Sequence, residues 1–128
     1  MNPVDDPQQR SPERFPRRHR LRRPADFEHV YRQRISVSDA FLIVYGSPNQ
    51  LDRTRLGLSI SRKVGKAHVR NRWKRLIREA FRRQSPMPPG YDLIVIPRRQ
   101  AEPSWPQVRD SLPRLLHSLL RRLRRKHG

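Results

Sequence analysis

A chain of 128 residues suffices for one domain with one core and is too short for two of ordinary size. Its 30 Lys and Arg against 11 Asp and Glu give a formal net charge of +19, whose self-repulsion in a compact fold calls for a polyanionic partner. The absence of cysteine excludes disulfides, thiolate chemistry and cysteine-bound zinc.

No apolar run approaches the roughly 20 residues needed to span a bilayer, and "MNPVDDPQQR" lacks the apolar segment of a secretory signal. A soluble, cytoplasmic protein is therefore expected. A membrane surface is the other polyanion, but it would call for a basic amphipathic helix with large apolar residues opposite the charge and little other fold. Nucleic acid is the favoured partner.

Residues 1–20 carry Pro3, Pro7, Pro12 and Pro16 and few apolar side chains. They read as a disordered arm, basic in its second half, ahead of a single domain over 21–126. "PADFEHVYRQR" predicts a helix over 24–34: Pro24 suits the first turn, Asp26 and Glu28 favour the positive end of the dipole, and Phe27, Val30 and Tyr31 recur at helical spacing. "DAFLIVYGSPN" predicts a strand over 40–46 closed by a Gly-Ser-Pro-Asn turn, with Phe41, Ile43 and Tyr45 on one face and Ala40, Leu42 and Val44 on the other.

"RLGLSISRKV" alternates Leu56, Leu58 and Ile60 with Gly57, Ser59 and Ser61, a strand whose small polar face leaves room for something to lie on it. Gly65 ends it, a helix follows from Ala67 to Arg83, and "QSPMPPG" stops that helix. "YDLIVIP" reads as a strand covered on both faces. A final helix starts at Ser104, with Gln107 completing a capping-box pattern, and carries an apolar stripe from Val108 to Leu123. Pro113 within it predicts a kink or a restart at Ser111.

On a helical wheel Val69, Trp73, Leu76, Ile77 and Ala80 share one face, with Phe81 slightly further round, while Asn71, Lys74, Arg75, Arg78 and Arg82 line the opposite side. Arg70 and Arg72 flank it. Like-charged pairs four residues apart, such as Lys74 with Arg78 and Arg78 with Arg82, cost an isolated helix a few tenths of a kcal/mol each. An anion lying along the face converts that cost into attraction. Glu79, the lone acid between Arg62 and Arg83, lies where it can brace Arg72, Arg75 and Arg83.

"RLGLSISRKVGKAHVRNRWKRLIREAFR", with Arg70-Asn71-Arg72 at its centre, closely resembles the segment that marks the bacterial ribonuclease P protein subunit. The resemblance extends through "RLRRPADFEHVYRQR", "FLIVY" and "YDLIVIPR" and covers about residues 20–123. It implies an α+β fold, an αβββαβα sandwich with a four-stranded sheet and a left-handed βαβ crossover at the Arg-Asn-Arg helix. It also implies partnership with a catalytic RNA in a ribonucleoprotein endonuclease that removes the 5′ leader of precursor tRNA. The chemistry would belong to Mg²⁺ held by the RNA, with no catalytic residue and no metal site in the protein, which is expected to be monomeric.

By position, the resemblance assigns Lys63, Arg70, Asn71, Arg72, Lys74, Arg75 and Arg78 to the catalytic-RNA surface. It assigns Phe27, Tyr31, Ile43 and Tyr45, with Ser59 and Ser61 behind them, to a central cleft for the single-stranded leader. Aromatics beside a Ser/Gly face suit such a groove, since bases stack on them at about 1–3 kcal/mol each. Phe27, Tyr31 and Tyr45 as simple core residues remain the other reading. Trp73 departs from the aliphatic residue expected there, and its apolar face suggests core.

A protein nuclease would need clustered carboxylates or a His pair. The acids are scattered, His19, His29, His68, His117 and His127 show no pairing, and no Gly-rich phosphate loop appears. A ribosomal or other structural RNA-binding protein would explain the charge but not the aromatic cleft together with the Arg-Asn-Arg helix. A DNA-binding helix-turn-helix protein would need a helix just before the basic one, where the sequence reads as strand.

Overall fold

A computed structural model describes residues 16–127 of the chain. The elements are α1 (Pro24–Arg32), β1 (Ser36–Ser38), β2 (Leu42–Pro48), β3 (Arg55–Leu58), α2 (Ala67–Arg82), β4 (Tyr91–Pro97) and α3 (Trp105–His127), with short 3₁₀ turns at Arg17–His19 and Arg62–Val64. This is the expected αβββαβα order. The sheet order is β1-β2-β4-β3: β2 is antiparallel to both neighbours, and β3 and β4 are parallel, joined by α2.

Strand alternation divides the sheet's side chains between two faces. Leu42 and Val44 of β2, Leu56 of β3 and Leu93 and Val95 of β4 point to the main core, where α2 and α3 cover them. From α2 come Trp73, Leu76, Ile77, Ala80 and Phe81, all buried, which is the apolar face that the wheel predicts. Burial of each large side chain stabilises the fold by about 1.5–3 kcal/mol, so this face fixes α2 in place and leaves the opposite one outward. Trp73 is core, 1% exposed. On the other side of the sheet, Ile94 meets Leu21 and the buried Val30 of α1 in a smaller cluster.

Several boundaries differ from the sequence reading. β2 begins at Leu42 and runs through Gly46, Ser47 and Pro48, which the sequence places in a turn. The reason is tertiary: a Cβ on Gly46 would lie 2.8 Å from Leu119 and 3.0 Å from Leu123, so the glycine admits α3 close to the sheet. The turn comes later, where the Asn49 side chain accepts from Leu51 N–H and donates to the Arg53 carbonyl. α1 stops at Arg32, and Arg34, in the left-handed region at φ 55°, turns the chain into β1.

β3 ends at Leu58, although the Ser59 N–H still reaches the Val95 carbonyl. α3 runs unbroken through Pro113, with no restart at Ser111. The end of the expected arm is also ordered: Arg17–His19 make a 3₁₀ turn, and Arg20 and Leu21 pair with Leu56 beside β3. Residues 1–15 of that arm lie outside the described residues.

Candidate nucleic-acid interface

The expected RNA-facing residues of α2 fall into two groups. Asn71, Arg72 and Arg75 are exposed, as is Lys63, which sits in the turn before the helix with its N–H donated to the Ser61 hydroxyl. Arg70, Lys74 and Arg78 are half-buried, and the Arg70 Nε is enclosed without a hydrogen-bond partner. Burial first, and then the positive charge of Arg20, disfavour the charged form of Arg78 and lower its pKa from the ordinary arginine value. The charges of Arg20, in the N-terminal segment, and Arg78, on α2, thus lie close enough to repel. An anion bound beside them would offset that repulsion.

Glu79 braces Arg83, as expected, and Arg82, which the sequence reading places on the outward face. Its carboxylate takes Arg82 at 2.6 Å and Arg83 at 2.9 Å, and Arg83 also stacks on Trp105 at 4.8 Å. Burial alone would raise its pKa, but the hydrogen bonds and charges of these two arginines hold it below the usual glutamate value. Arg82 is therefore tied into the protein, and the outward cations concentrate in the first half of the helix.

The N-terminal segment adds a basic surface that sequence reasoning missed. Arg17, Arg20, Arg22, Arg23, Arg53 and Arg55 line one open hollow with Asp26. Arg55 is held bidentately by the buried Asp92 and approaches Asp26 at 3.7 Å, tying α1 to the sheet. In sequence Arg17, Arg18 and Arg20 fall in the arm expected over residues 1–20, and the pairing of Arg20 and Leu21 with Leu56 joins the end of that arm to the domain.

On the opposite face of the sheet, the register gathers most of the expected cleft residues. One row across the strands is Ser36, Tyr45, Ile94 and Gly57. α1 lies over it: the Phe27 ring rests on Gly57, where a Cβ would come within 2.7 Å of Cζ, and Tyr31 meets Tyr45 edge-on at 5.0 Å and 89°. The room left by Gly57 is thus filled by Phe27 and Leu21. The next row, Ser38, Ile43 and Ile96 with Ser59 beside it, continues the floor past these rings.

Phe27, Tyr31, Ile43, Tyr45, Ile96 and Ser59 are all half-buried, so each contributes to packing and keeps open surface. Ser61 departs from the expected set, because β3 has ended and its hydroxyl caps the following 3₁₀ turn. Ile96 and Ser38 join instead. The all-apolar "YDLIVIP" hid Ile96, since periodicity cannot say which side of a doubly apolar strand stays partly open.

Chemically, the two surfaces are a convex basic helix suited to phosphates and an apolar, aromatic groove suited to unstacked bases. Among the described residues no group of three or more His, Asp or Glu could hold a metal ion, and no helix is long and apolar enough to cross a membrane.

Known proteins are similar to this chain in sequence and fold. The family model described as Ribonuclease P matches residues 15–120. Among curated relatives, the ribonuclease P protein component of Thermotoga petrophila is 40% identical over 97 residues, covering 75% of this chain and 83% of that protein. That of Clostridium botulinum (strain Langeland) is 43% identical over 84 residues, covering 64% and 76%. Among solved structures, the RNase P protein of Staphylococcus aureus superposes with a TM-score of 0.73 at 36% identity, covering 78% of this chain and 94% of that one. The Thermotoga maritima RNase P protein gives a TM-score of 0.67 at 35% identity, covering 80% and 96%.

Proposed function

The chain belongs to the ribonuclease P protein family, and from that premise we propose that it binds a catalytic RNA through α2 and the 5′ leader of precursor tRNA through the cleft under α1. The observation that carries the proposal is the opposition of the two surfaces. The buried face of α2 turns Asn71, Arg72 and Arg75 outward, while the far side of the sheet holds Tyr31, Tyr45, Ile43 and Ile96 around a floor that α1 leaves partly open. One protein can then touch two RNA segments at once.

The cationic face neutralises phosphates of the RNA subunit and releases their counterions, which makes that contact strong and salt-dependent. Lys63, Arg70, Lys74 and Arg78 extend it. The cleft holds leader bases by stacking on the open ring surfaces and by apolar contact with Ile43 and Ile96, which is tolerant of sequence. Mg²⁺ held by the RNA supplies the hydrolytic chemistry. The protein's own part is to hold the leader and to lower the repulsion between RNA strands, so that less metal is needed for cleavage.

The deciding experiment mixes the purified chain with a bacterial ribonuclease P RNA and precursor tRNA at low Mg²⁺. The protein should restore 5′-leader removal that the RNA alone performs only at high Mg²⁺. Failure to do so with an RNA that is active at high Mg²⁺ refutes the proposal, and specific cleavage by the RNA-free protein would refute the division of labour.

A further inference from the structure

The row Ser38, Ile43, Ile96 and Ser59 crosses β1, β2 and β4 and reaches the residue just past the end of β3, so its span is about 14 Å at the usual ~4.8 Å strand spacing. That accommodates about four nucleotides at a stacked rise of ~3.4 Å. At the β3 end the row leads through Ser59 and Ser61 to Lys63 and the start of α2. At the other end it stops at β1, the outer strand, where Ser38 is exposed.

Beyond that edge lies α3. The Arg122 guanidinium donates to the Ser36 carbonyl at 2.6 Å, and Arg114 approaches Asp39 at 3.7 Å. The helix flank carrying Arg114, Ser118, Arg122 and Arg125 therefore runs alongside β1, and the row reaches the edge between the two anchoring arginines. From Arg114 to Lys126 there are six Arg or Lys and no acid. The helix dipole favours cations only within the last turn, and one contact each to Asp39 and Ser36 leaves most of the donors of Arg114 and Arg122, and all of Arg121, without an account. Guarding a sheet edge explains little more, because a three-residue strand is already a short edge.

We propose that a leader too long for the cleft continues over the outer edge of β1 and lays its phosphates on the α3 flank at Arg122 and Arg125. This rests on the reading of the cleft as the leader site. The direction follows from α2: the tRNA end of the leader enters beside the RNA-binding helix at the β3 end, and the free 5′ end leaves at β1.

The test uses the reconstituted complex and precursor tRNAs with leaders of about three and about ten nucleotides. The double variant Arg122→Gln/Arg125→Gln keeps a donor for the Ser36 carbonyl and removes two charges. Arg124→Gln, on the other side of the helix, controls for net charge. The double variant should raise Kd for the long-leader substrate about three- to tenfold and flatten its salt dependence by about one to one and a half units of slope. Binding of the short-leader substrate should not change.

Equal loss at both lengths, no loss at either, or an equal effect of Arg124→Gln overturns the path over β1. Tyr45→Ala in the same assays separates the two ideas. If it weakens binding of both leaders while the double variant shows no length dependence, only the α3 path falls. If it weakens neither, the cleft reading falls and this inference with it.

Discussion

Replacement of Tyr45 by Ala probes the cleft most directly. One side of the ring is occupied by Tyr31, edge-on at 5.0 Å, and the residue as a whole is half-buried, so at most one base can stack on what remains. A stacked base contributes about 1–3 kcal/mol, and a partly covered ring supports the lower half of that range. The expected loss is about 1–2 kcal/mol, or roughly a 5- to 30-fold rise in Kd for precursor tRNA. The same substitution removes an edge-to-face pair worth about 0.5–1.5 kcal/mol of stability, so melting must show the variant folded at the assay temperature. Equilibrium binding of the reconstituted complex to precursor and mature tRNA is the assay, with Tyr45→Phe expected near wild type. An equal loss for both tRNAs, or none for either, refutes the role of Tyr45 in leader binding.

Arg75→Ala should weaken binding of the RNA subunit and lower the slope of log K against log salt by about one, and an unchanged slope in a salt titration removes Arg75 from the RNA surface. Gly57→Ala places a methyl group 2.7 Å from Phe27 Cζ and 3.1 Å from Leu21, so it should cost about 1–3 kcal/mol in urea unfolding and weaken leader binding more than RNA-subunit binding. A wild-type unfolding midpoint would mean that the Phe27 ring yields freely. Asp39 gives a pH dependence: burial raises its pKa, but Ser111, the N–H groups of Leu42 and Phe41 and the charge of Arg114 together hold it below the ordinary aspartate value. Its charged form therefore stabilises the fold above the unfolded value of about 3.9, and the contribution disappears as pH falls through the lower folded value. Asp39→Asn should be less stable at neutral pH and lose less on acidification, and parallel pH–stability curves for the two proteins would contradict this.

Local rules made α2 legible. A 3.6-residue period with apolar residues on one side and cations on the other admits one orientation, and burial of Trp73, Leu76 and Ile77 follows from it. α1 was legible from the same period, and the three longer strands from alternating or continuous apolar runs bounded by turn residues. What sequence pattern left open was which side of each doubly apolar strand would be covered. Ile94 and Ile96 are two residues apart on one face of β4; Ile94 is buried under α1, and Ile96 stays half-open in the cleft floor.

The same limit explains the other differences. Gly46 reads as a turn residue until α3 is seen packed against it, and Ser61 continues an alternating pattern after its strand has stopped pairing. Arg17, Arg18 and Arg20 end a stretch with the composition of a solvated arm, yet pairing of Arg20 and Leu21 with Leu56 sets them against the sheet beside an arginine-lined hollow. The sequence by itself determined the excess of positive charge, the outward face of α2 and the apolar runs of the longer strands, because charge and side-chain period are properties of the chain. The tertiary structure alone decided the cleft's floor, its length and the cationic flank beside β1, because these arise where segments distant in sequence meet and no local period records which of them will pack together.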